Sequence, residues 1–164
     1  MEIVNVRIDE RLIHGQVAVT WTKALQVDGI VVANDETANN DIQKMTLKMA
    51  VPSGIKCIIK TVEEAKELLR NPKAKDMRLM VLTKTVKDAV NIAEEFNDIE
   101  FVNVGNVGKM ISEEKVVITK EVSLTTEEVK AMKELIKLYP ETIFQSTPAM
   151  EKHLAKNIMK NKNI

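Results

Sequence analysis

The chain has 164 residues, of which 45% are hydrophobic and 29% are charged, and its 24 basic and 24 acidic side chains leave a formal net charge of +0. This length fits one globular domain and argues against two. The balanced charge gives no global field that would attract nucleic acid, and aromatic residues, at 3% of the chain, are too few for a base-stacking surface.

Short β-rich runs alternate with helical patterns along the chain. The predicted strands cover 3–8, 29–33, 55–60, 77–82, 99–104 and 141–146. Helical patterns fill the intervals, and KVVITKEVSLT is typical of an edge hairpin. Strands spaced in this way indicate βαβ units. We therefore predict one α/β domain over 1–164, with a single open, mostly parallel, twisted sheet of about six or seven strands, helices on both faces and a short antiparallel edge element.

Capping signals mark where several of these helices begin. Thr61 with Glu64, and Thr125 with Glu128, have the spacing of a capping box. Thr85 is a predicted cap for a further helix, and Thr147-Pro148 is predicted to open a C-terminal helix.

The predicted helix at about 40–50 carries Ile42, Met45 and Met49 on one face. Methionine fills irregular gaps in protein cores, so we interpret most of the nine methionines as core residues.

Cysteine usage and hydropathy indicate the compartment. The lone Cys57 excludes an intramolecular disulfide, and one cysteine with two widely separated histidines argues against a structural zinc site. No apolar run approaches the roughly 18 residues of a membrane span, and MEIVNVRIDE is charged too early for a signal peptide. We expect a cytoplasmic protein without direct membrane insertion.

Ligands of open α/β sheets bind beyond the carboxyl ends of the strands, where the strand order reverses. The loops that follow the predicted strands are therefore the candidate site, and they cover 9–16, 34–39, 60–61, 83–85 and 105–109.

The first of these loops lies in RIDERLIHGQV, residues 7–17, and places His14 immediately before a helix. A neutral imidazole is a competent nucleophile near pH 7, and the free N–H groups of a helix N-terminus favour an anion. Arg11 offers a planar fork of donors to phosphate oxygens, and Gly15 lets the backbone pass close to a bulky anion. Asp9 has two possible roles: it can hydrogen-bond the second ring nitrogen of His14, or it can orient Arg11. Reversible phosphorylation of a histidine needs such a nucleophile, anion hole and cation, although a histidine in a charged loop can equally be a plain polar residue.

Several blocks of the sequence carry a family resemblance. It favours reversible phosphorylation of His14 over the role of a plain polar residue. RIDERLIHGQV, followed by a helix with Trp21 and by VVANDETANND, resembles the enzyme IIB component of the mannose/fructose/sorbose family of the bacterial phosphotransferase system (PTS). The similarity extends along the chain through LKMAVPSGIK, VLTKT, FVNVGNVG, VSLT and IFQSTP.

The resemblance implies a phosphoryl relay. His14 would accept a phosphoryl group from a phosphohistidine of a IIA domain and pass it to a sugar that enters through the membrane subunits IIC and IID. Arg11 would contact the phosphate, Asp9 would be the orienting residue in one of its two possible roles, and Gly15 and Gln16 would contribute backbone N–H groups. No nucleotide, cofactor or obligatory metal is implied. The domain would be cytoplasmic and held peripherally at the membrane through IIC and IID, and a homodimer is possible.

Further loop residues have both a site interpretation and a plainer one. Asn34 and Asp35 would shape the wall beside His14, although Asn-Asp after a strand is also an ordinary turn signal. Lys84 would help to hold phosphate or would simply be solvated. Gly105 would let its loop approach the phosphate on His14 or would only turn the chain, and Asn106, where the family often has a glycine, leaves the role of the 105–108 loop open.

The stretch NVGNVGKMIS superficially suggests a nucleotide-binding loop. A P-loop requires a glycine at the position of Asn103 and a hydroxyl residue at the position of Met110, so the spacing excludes one.

Three more residues complete the candidates. His153 lies outside the family motif, in a predicted helix, and we interpret it as a structural or surface residue. Of Leu12 and Ile13, we expect one to be exposed for partner docking and the other to anchor the loop.

The rival function is a non-catalytic regulatory or binding module that senses a phosphorylated partner.

Overall fold

The structure is a computed structural model that describes residues 2–74 and 76–164. Its strands are β1 (Glu2–Ile8), β2 (Gly29–Ala33), β3 (Lys56–Lys60), β4 (Arg78–Thr83), β5 (Phe101–Val104), β6 (Val116–Val117), β7 (Ser123–Leu124), β8 (Ile143–Phe144) and β9 (His153–Leu154). Its α-helices are α1 (Gly15–Leu25), α2 (Asp35–Ala38), α3 (Asp41–Met49), α4 (Val62–Arg70), α5 (Val86–Ala93), α6 (Thr126–Leu138) and α7 (Ala155–Asn161). Within the described ranges, no helix combines the length and the apolar character needed to cross a bilayer.

One seven-stranded sheet organises the molecule, in the order β3-β2-β4-β1-β5-β8-β9. All neighbouring strands from β3 to β8 are parallel, while β9 pairs antiparallel with β8. The predicted hairpin is present as β6 and β7, which form a separate antiparallel pair. These observations confirm the predicted fold class.

The strand order reverses at the centre of the sheet. β1 lies between β4 and β5, and the chain leaves β1 towards β2 on one side but leaves β5 towards β8 on the other. The connections after β1 and β5 therefore run to opposite sides of the sheet, and the carboxyl ends of these two strands form the switch point at which ligands of such sheets bind.

Alternating side chains supply the two faces of the sheet. In β2 and β4, Val31 and Val81 belong to one apolar cluster, whereas Ile30 and Met80 belong to the other. Side chains of α4, α5, α6 and α7 pack into the first cluster, and those of α1 and α3 into the second. The central strands are thus covered on both faces, as parallel sheets require.

The predicted helix caps are largely confirmed. Thr61 and Glu64 form a complete capping box, and Thr85 and Thr125 each accept a bond from the backbone N–H three residues later. The second capping box is wrong in one respect, because the Glu128 carboxylate caps a different helix. It accepts bonds from the first two N–H groups of α5, at 2.8 and 3.0 Å, and so joins α6 to α5.

Two further expectations are wrong. Ile42, Met45 and Met49 are exposed rather than core residues, because α3 turns Leu47 towards the sheet and its opposite face meets solvent. The C-terminal helix begins at Ala155, not at Thr147-Pro148. The chain after β8 instead runs through an irregular segment and adds the edge strand β9, so His153 lies in a strand.

Candidate functional site

The loop after β1 delivers His14 to the first turn of α1. His14 is the N-cap residue, with extended backbone angles (φ −150, ψ 133), but no side chain of the described residues caps this helix. Gly15 follows in the left-handed region at φ 44, a conformation that glycine adopts without a steric penalty. The N–H groups of the first turn therefore have no capping acceptor and are oriented to bind an anion.

Leu12 and Ile13 fasten this loop to the protein. Both are buried, and both belong to the same apolar cluster as Trp21 of α1. The expectation that one of them is exposed for docking is wrong. Leu12 adopts a left-handed conformation (φ 57), and the resulting turn leaves both side chains inside the cluster.

Asp9 forms ion pairs with two arginines, Arg7 and Arg11. Its side chain is fully buried, and its Oδ2 accepts a bond from Arg7 Nη2 at 3.2 Å. Its Oδ1 accepts from the backbone N–H of Arg11 at 3.0 Å and from Arg11 Nε at 3.4 Å. Asp9 thus hydrogen-bonds Arg11 and makes no hydrogen bond to His14. The Arg11 side chain stays 42% exposed, so its remaining donors are accessible to a ligand from solvent.

Arg7 is the site residue that the sequence analysis did not identify. Its side chain is 2% exposed and donates to the Gln145 carbonyl at 3.1 Å and to the Ser146 carbonyl at 2.8 Å, besides its bond to Asp9. The guanidinium also lies 4.9 Å from the centroid of the Trp21 ring, and the indole N–H donates to the same Ser146 carbonyl. Burial lowers the pKa of Arg7 to about 10, although the adjacent Asp9 carboxylate opposes the shift. Arg7 therefore connects the His14 loop to α1 and to the segment after β8.

A signal for Arg7 exists in the sequence. Asn5 and Arg7 alternate with Val6 and Ile8, which is typical of a strand with one solvated face. Because β1 is the central strand, this polar row is buried instead of meeting water, and Arg7 lies against Trp21 of α1.

The loop after β5 packs against the loop after β1. A Cβ added at Gly105 would overlap the Arg7 guanidinium and lie 2.9 Å from Asp9 Oδ2, so only glycine fits over this ion pair. The buried Glu10 carboxylate accepts bonds from the backbone N–H groups of Lys109 and Met110, at 2.8 and 3.0 Å. The two loops are thus held together, and Gly105 contacts the groups that support the His14 loop.

The other candidate residues lie at the same edge of the sheet, and two of them have hydrogen-bond partners of their own. Asn34 caps α2 by accepting from the Thr37 N–H, and Asp35 accepts from the Val62 N–H at the start of α4. Lys84 is half-buried directly after β4, and Gln16 is exposed in the first turn of α1.

The electrostatics favour a neutral His14. Burial lowers the pKa of the imidazole, the Arg11 and Arg7 cations lower it further, and Asp9 opposes them. Both ring nitrogens are shielded from solvent and have no hydrogen-bond partner among the described residues, although the residue as a whole is only partly buried. His14 therefore carries a free lone pair at neutral pH, beside a cation and an uncapped helix N-terminus.

The structure is a doubly wound α/β domain with an uncapped helix N-terminus at the switch point of its sheet, and proteins of this class commonly bind anionic ligands at such a place. A model of the family described as the PTS system sorbose subfamily IIB component matches residues 3–164. The chain belongs to this family and is a IIB component of a sugar phosphotransferase system, with the α/β fold of that family.

Relatives of known sequence or structure agree. A probable phosphotransferase enzyme IIB component of Streptococcus pyogenes is 50% identical over 139 residues, which cover 83% of this chain and 85% of the relative. The mannose-specific EIIAB component of Escherichia coli is 35% identical over 135 residues, covering 82% of this chain and 41% of that longer protein. The crystal structure of the IIBSor domain of the sorbose permease of Klebsiella pneumoniae superposes with a TM-score of 0.91 at 27% identity, and 98% of each chain is covered.

Proposed function

We propose that His14 is the phosphoryl-carrying residue of this IIB component. The observation that carries the proposal is the position of His14 at the uncapped N-terminus of α1, beside an Arg11 that the buried Asp9 carboxylate orients. Phosphoryl transfer depends mainly on positioning and on stabilisation of charge, and these residues supply both.

The donor would be a phosphohistidine of a IIA domain. The lone pair of a His14 ring nitrogen attacks phosphorus in line, the new N–P bond forms, and the donor's N–P bond breaks with its electrons returning to the donor imidazole. A sugar hydroxyl then attacks the phosphoryl group, the N–P bond to His14 breaks, and the released imidazole takes up the hydroxyl proton. Both ring nitrogens are shielded, so this mechanism requires the ring to turn towards solvent when the donor docks.

The surroundings of His14 would bind the transferred group. Arg11 contacts two phosphoryl oxygens, and the N–H groups of Gly15 and Gln16 contact a third. Asn34, Asp35 and Lys84 form the wall at the neighbouring strand ends. Gly105 acts through the Arg7–Asp9 pair, since it makes room for that pair.

The partners would be a IIA domain and the membrane subunits IIC and IID. The name of the Escherichia coli relative combines an A with a B component, which supports a IIA donor. In this arrangement the chain works as one IIB unit at the cytoplasmic side of the membrane, attached through IIC and IID.

The alternative, a regulatory module that binds a phosphorylated partner without transfer, is not favoured by the comparisons. Incubation of the chain with labelled phosphoenolpyruvate, the upstream carriers and IIA separates the two. We expect one phosphoryl group per chain, stable to base and labile to acid, which the sugar discharges when membrane subunits are added. Binding of phosphorylated IIA without label on this chain would support the regulatory module instead.

Replacement of Arg11 by alanine should reduce the single-turnover rate of phosphoryl acceptance by about 10²–10³-fold, as loss of one charge-stabilising donor does in other enzymes. The partly exposed Arg11 contributes only about 0–1 kcal/mol to stability through its ion pair, so urea unfolding should be nearly unchanged. Arg11→Lys keeps the charge but loses the planar fork of donors. It should accept the phosphoryl group at a rate between those of the wild-type chain and Arg11→Ala. If Arg11→Ala unfolds readily while its folded fraction transfers normally, Arg11 is structural.

The pKa of His14 should lie below its ordinary value of 6.5, because burial and the nearby cations disfavour the imidazolium. A lowered pKa keeps the imidazole neutral, and hence nucleophilic, to a lower pH. An NMR titration of the unphosphorylated chain measures this pKa directly. Arg11→Gln should raise it, since a repelling cation is lost, and a wild-type pKa at or above 6.5 would contradict the site's electrostatics.

A further inference from the structure

Helix α3 exposes an apolar stripe. Ile42, Met45 and Met49 are 78%, 65% and 81% exposed, and their spacing places them on one side of the helix, opposite Leu47, which packs towards the sheet. Contiguous apolar surface of this kind marks an interaction site. A shallow depression of about 450 Å³ beside Met45 and Met49 provides room for an apolar side chain from a partner.

The charges along the stripe have a distinctive order. Asp41 begins the helix and Lys48 lies at its last turn, and neither forms an ion pair within the described ranges. Lys44 lies between them and likewise forms no ion pair within the described ranges; the lowered pKa of the Glu64 carboxyl comes mainly from its hydrogen bonds with Thr61, and Lys44 contributes least. A partner surface of a single charge sign would repel either Asp41 or Lys48. An antiparallel copy of the same helix instead places an opposite charge next to each of them.

We propose that the α3 stripe is the contact surface of a homodimer. Two copies of α3 pair antiparallel about a twofold axis near Met45, so that Met45 contacts the partner's Met45 and Ile42 contacts the partner's Met49. Asp41 then faces the partner's Lys48, and the symmetry forms this ion pair twice. The opposed helix dipoles add to the attraction.

The contact is small compared with the roughly 800 Å² per partner of a standard interface, because a nine-residue helix is short. The dimer is therefore reversible, with a Kd on the order of 0.1 mM. The flexible side chains of Met45 and Met49 adapt to the side chains of the partner in this contact.

Sedimentation equilibrium from about 10 μM to about 1 mM tests the dimer. The wild-type chain should show a monomer–dimer equilibrium, and Met45→Glu, which places two carboxylates at the twofold axis, should remain monomeric. The matched control is Val117→Glu, which changes another exposed apolar side chain, in β6, and should leave the equilibrium unchanged. Thermal unfolding of each variant verifies that the fold is intact.

A charge exchange tests the pairing itself. Asp41→Lys and Lys48→Asp should each weaken association about fivefold or more, because each brings like charges together, and the double variant should restore it. A wild-type chain that stays monomeric at about 1 mM, or a double variant no better than the single ones, overturns the proposal. If the wild-type chain is monomeric and Met45→Glu instead raises the KM for phosphorylated IIA, the stripe is a donor-docking surface and the homodimer is wrong.

Discussion

Replacing His14 by alanine is expected to abolish phosphoryl acceptance, so that labelling falls to the background of a reaction without the chain. The reason is that the variant lacks the nucleophile on which the new N–P bond forms. The fold should survive, because the His14 side chain neither caps α1 nor makes a hydrogen bond among the described residues. We expect the free energy of unfolding in urea to change by no more than about 1 kcal/mol.

His153→Ala is the matched control. His153 is the second histidine of the chain, and it lies exposed in the edge strand β9. Its replacement should leave the amount of label unchanged. Label that persists in His14→Ala, or disappears in His153→Ala while the protein remains folded, would contradict the assignment of the carrier residue.

Replacing Arg7 by alanine should destabilise the protein by about 3–5 kcal/mol, the cost of removing one partner from a buried ion pair. The Asp9 carboxylate would remain buried without its main countercharge, and the carbonyls of Gln145 and Ser146 would lose their guanidinium donors. Urea unfolding monitored by the fluorescence of Trp21, which packs against Arg7, measures the change.

Two comparisons identify the cause of that loss. Arg70→Ala removes a half-exposed arginine from its ion pair with Glu95 and should cost less than about 1 kcal/mol. In the Arg7→Ala background, Asp9→Asn should cost less than it does in the wild-type chain, because the carboxylate has already lost its partner. Equal losses for Arg7→Ala and Arg70→Ala would show that the buried pair does not hold the two loops together.

The sequence predicts most of the fold because local signals and tertiary packing agree. The β-rich runs, the helical patterns and the Thr61 and Thr85 caps all recur in the structure. The predictions are wrong where a long-range contact outweighs a local sequence pattern. Glu128 has capping-box spacing but caps the neighbouring α5, and the chain after Thr147-Pro148 adds a strand to the sheet before it becomes helical.

The same distinction applies to the site. The position of His14 follows from one loop, so the sequence places it correctly at the start of α1. Arg7 acquires its role only from burial under Trp21 and from carbonyls more than a hundred residues away, which a local pattern does not contain. The exposure of Met45 and Met49 could not be foreseen either, because a helical stripe does not reveal which face of a helix meets the sheet.

The most direct test of the account is nitrogen-15 NMR of the histidine side chains before and after phosphorylation by IIA. The chain has two histidines, so each imidazole can be assigned with the His14→Ala and His153→Ala variants. We predict that phosphorylation changes the ring-nitrogen signals of His14 and leaves those of His153 in place. A phosphoryl group found on His153, or on any residue other than His14, would contradict the proposed relay.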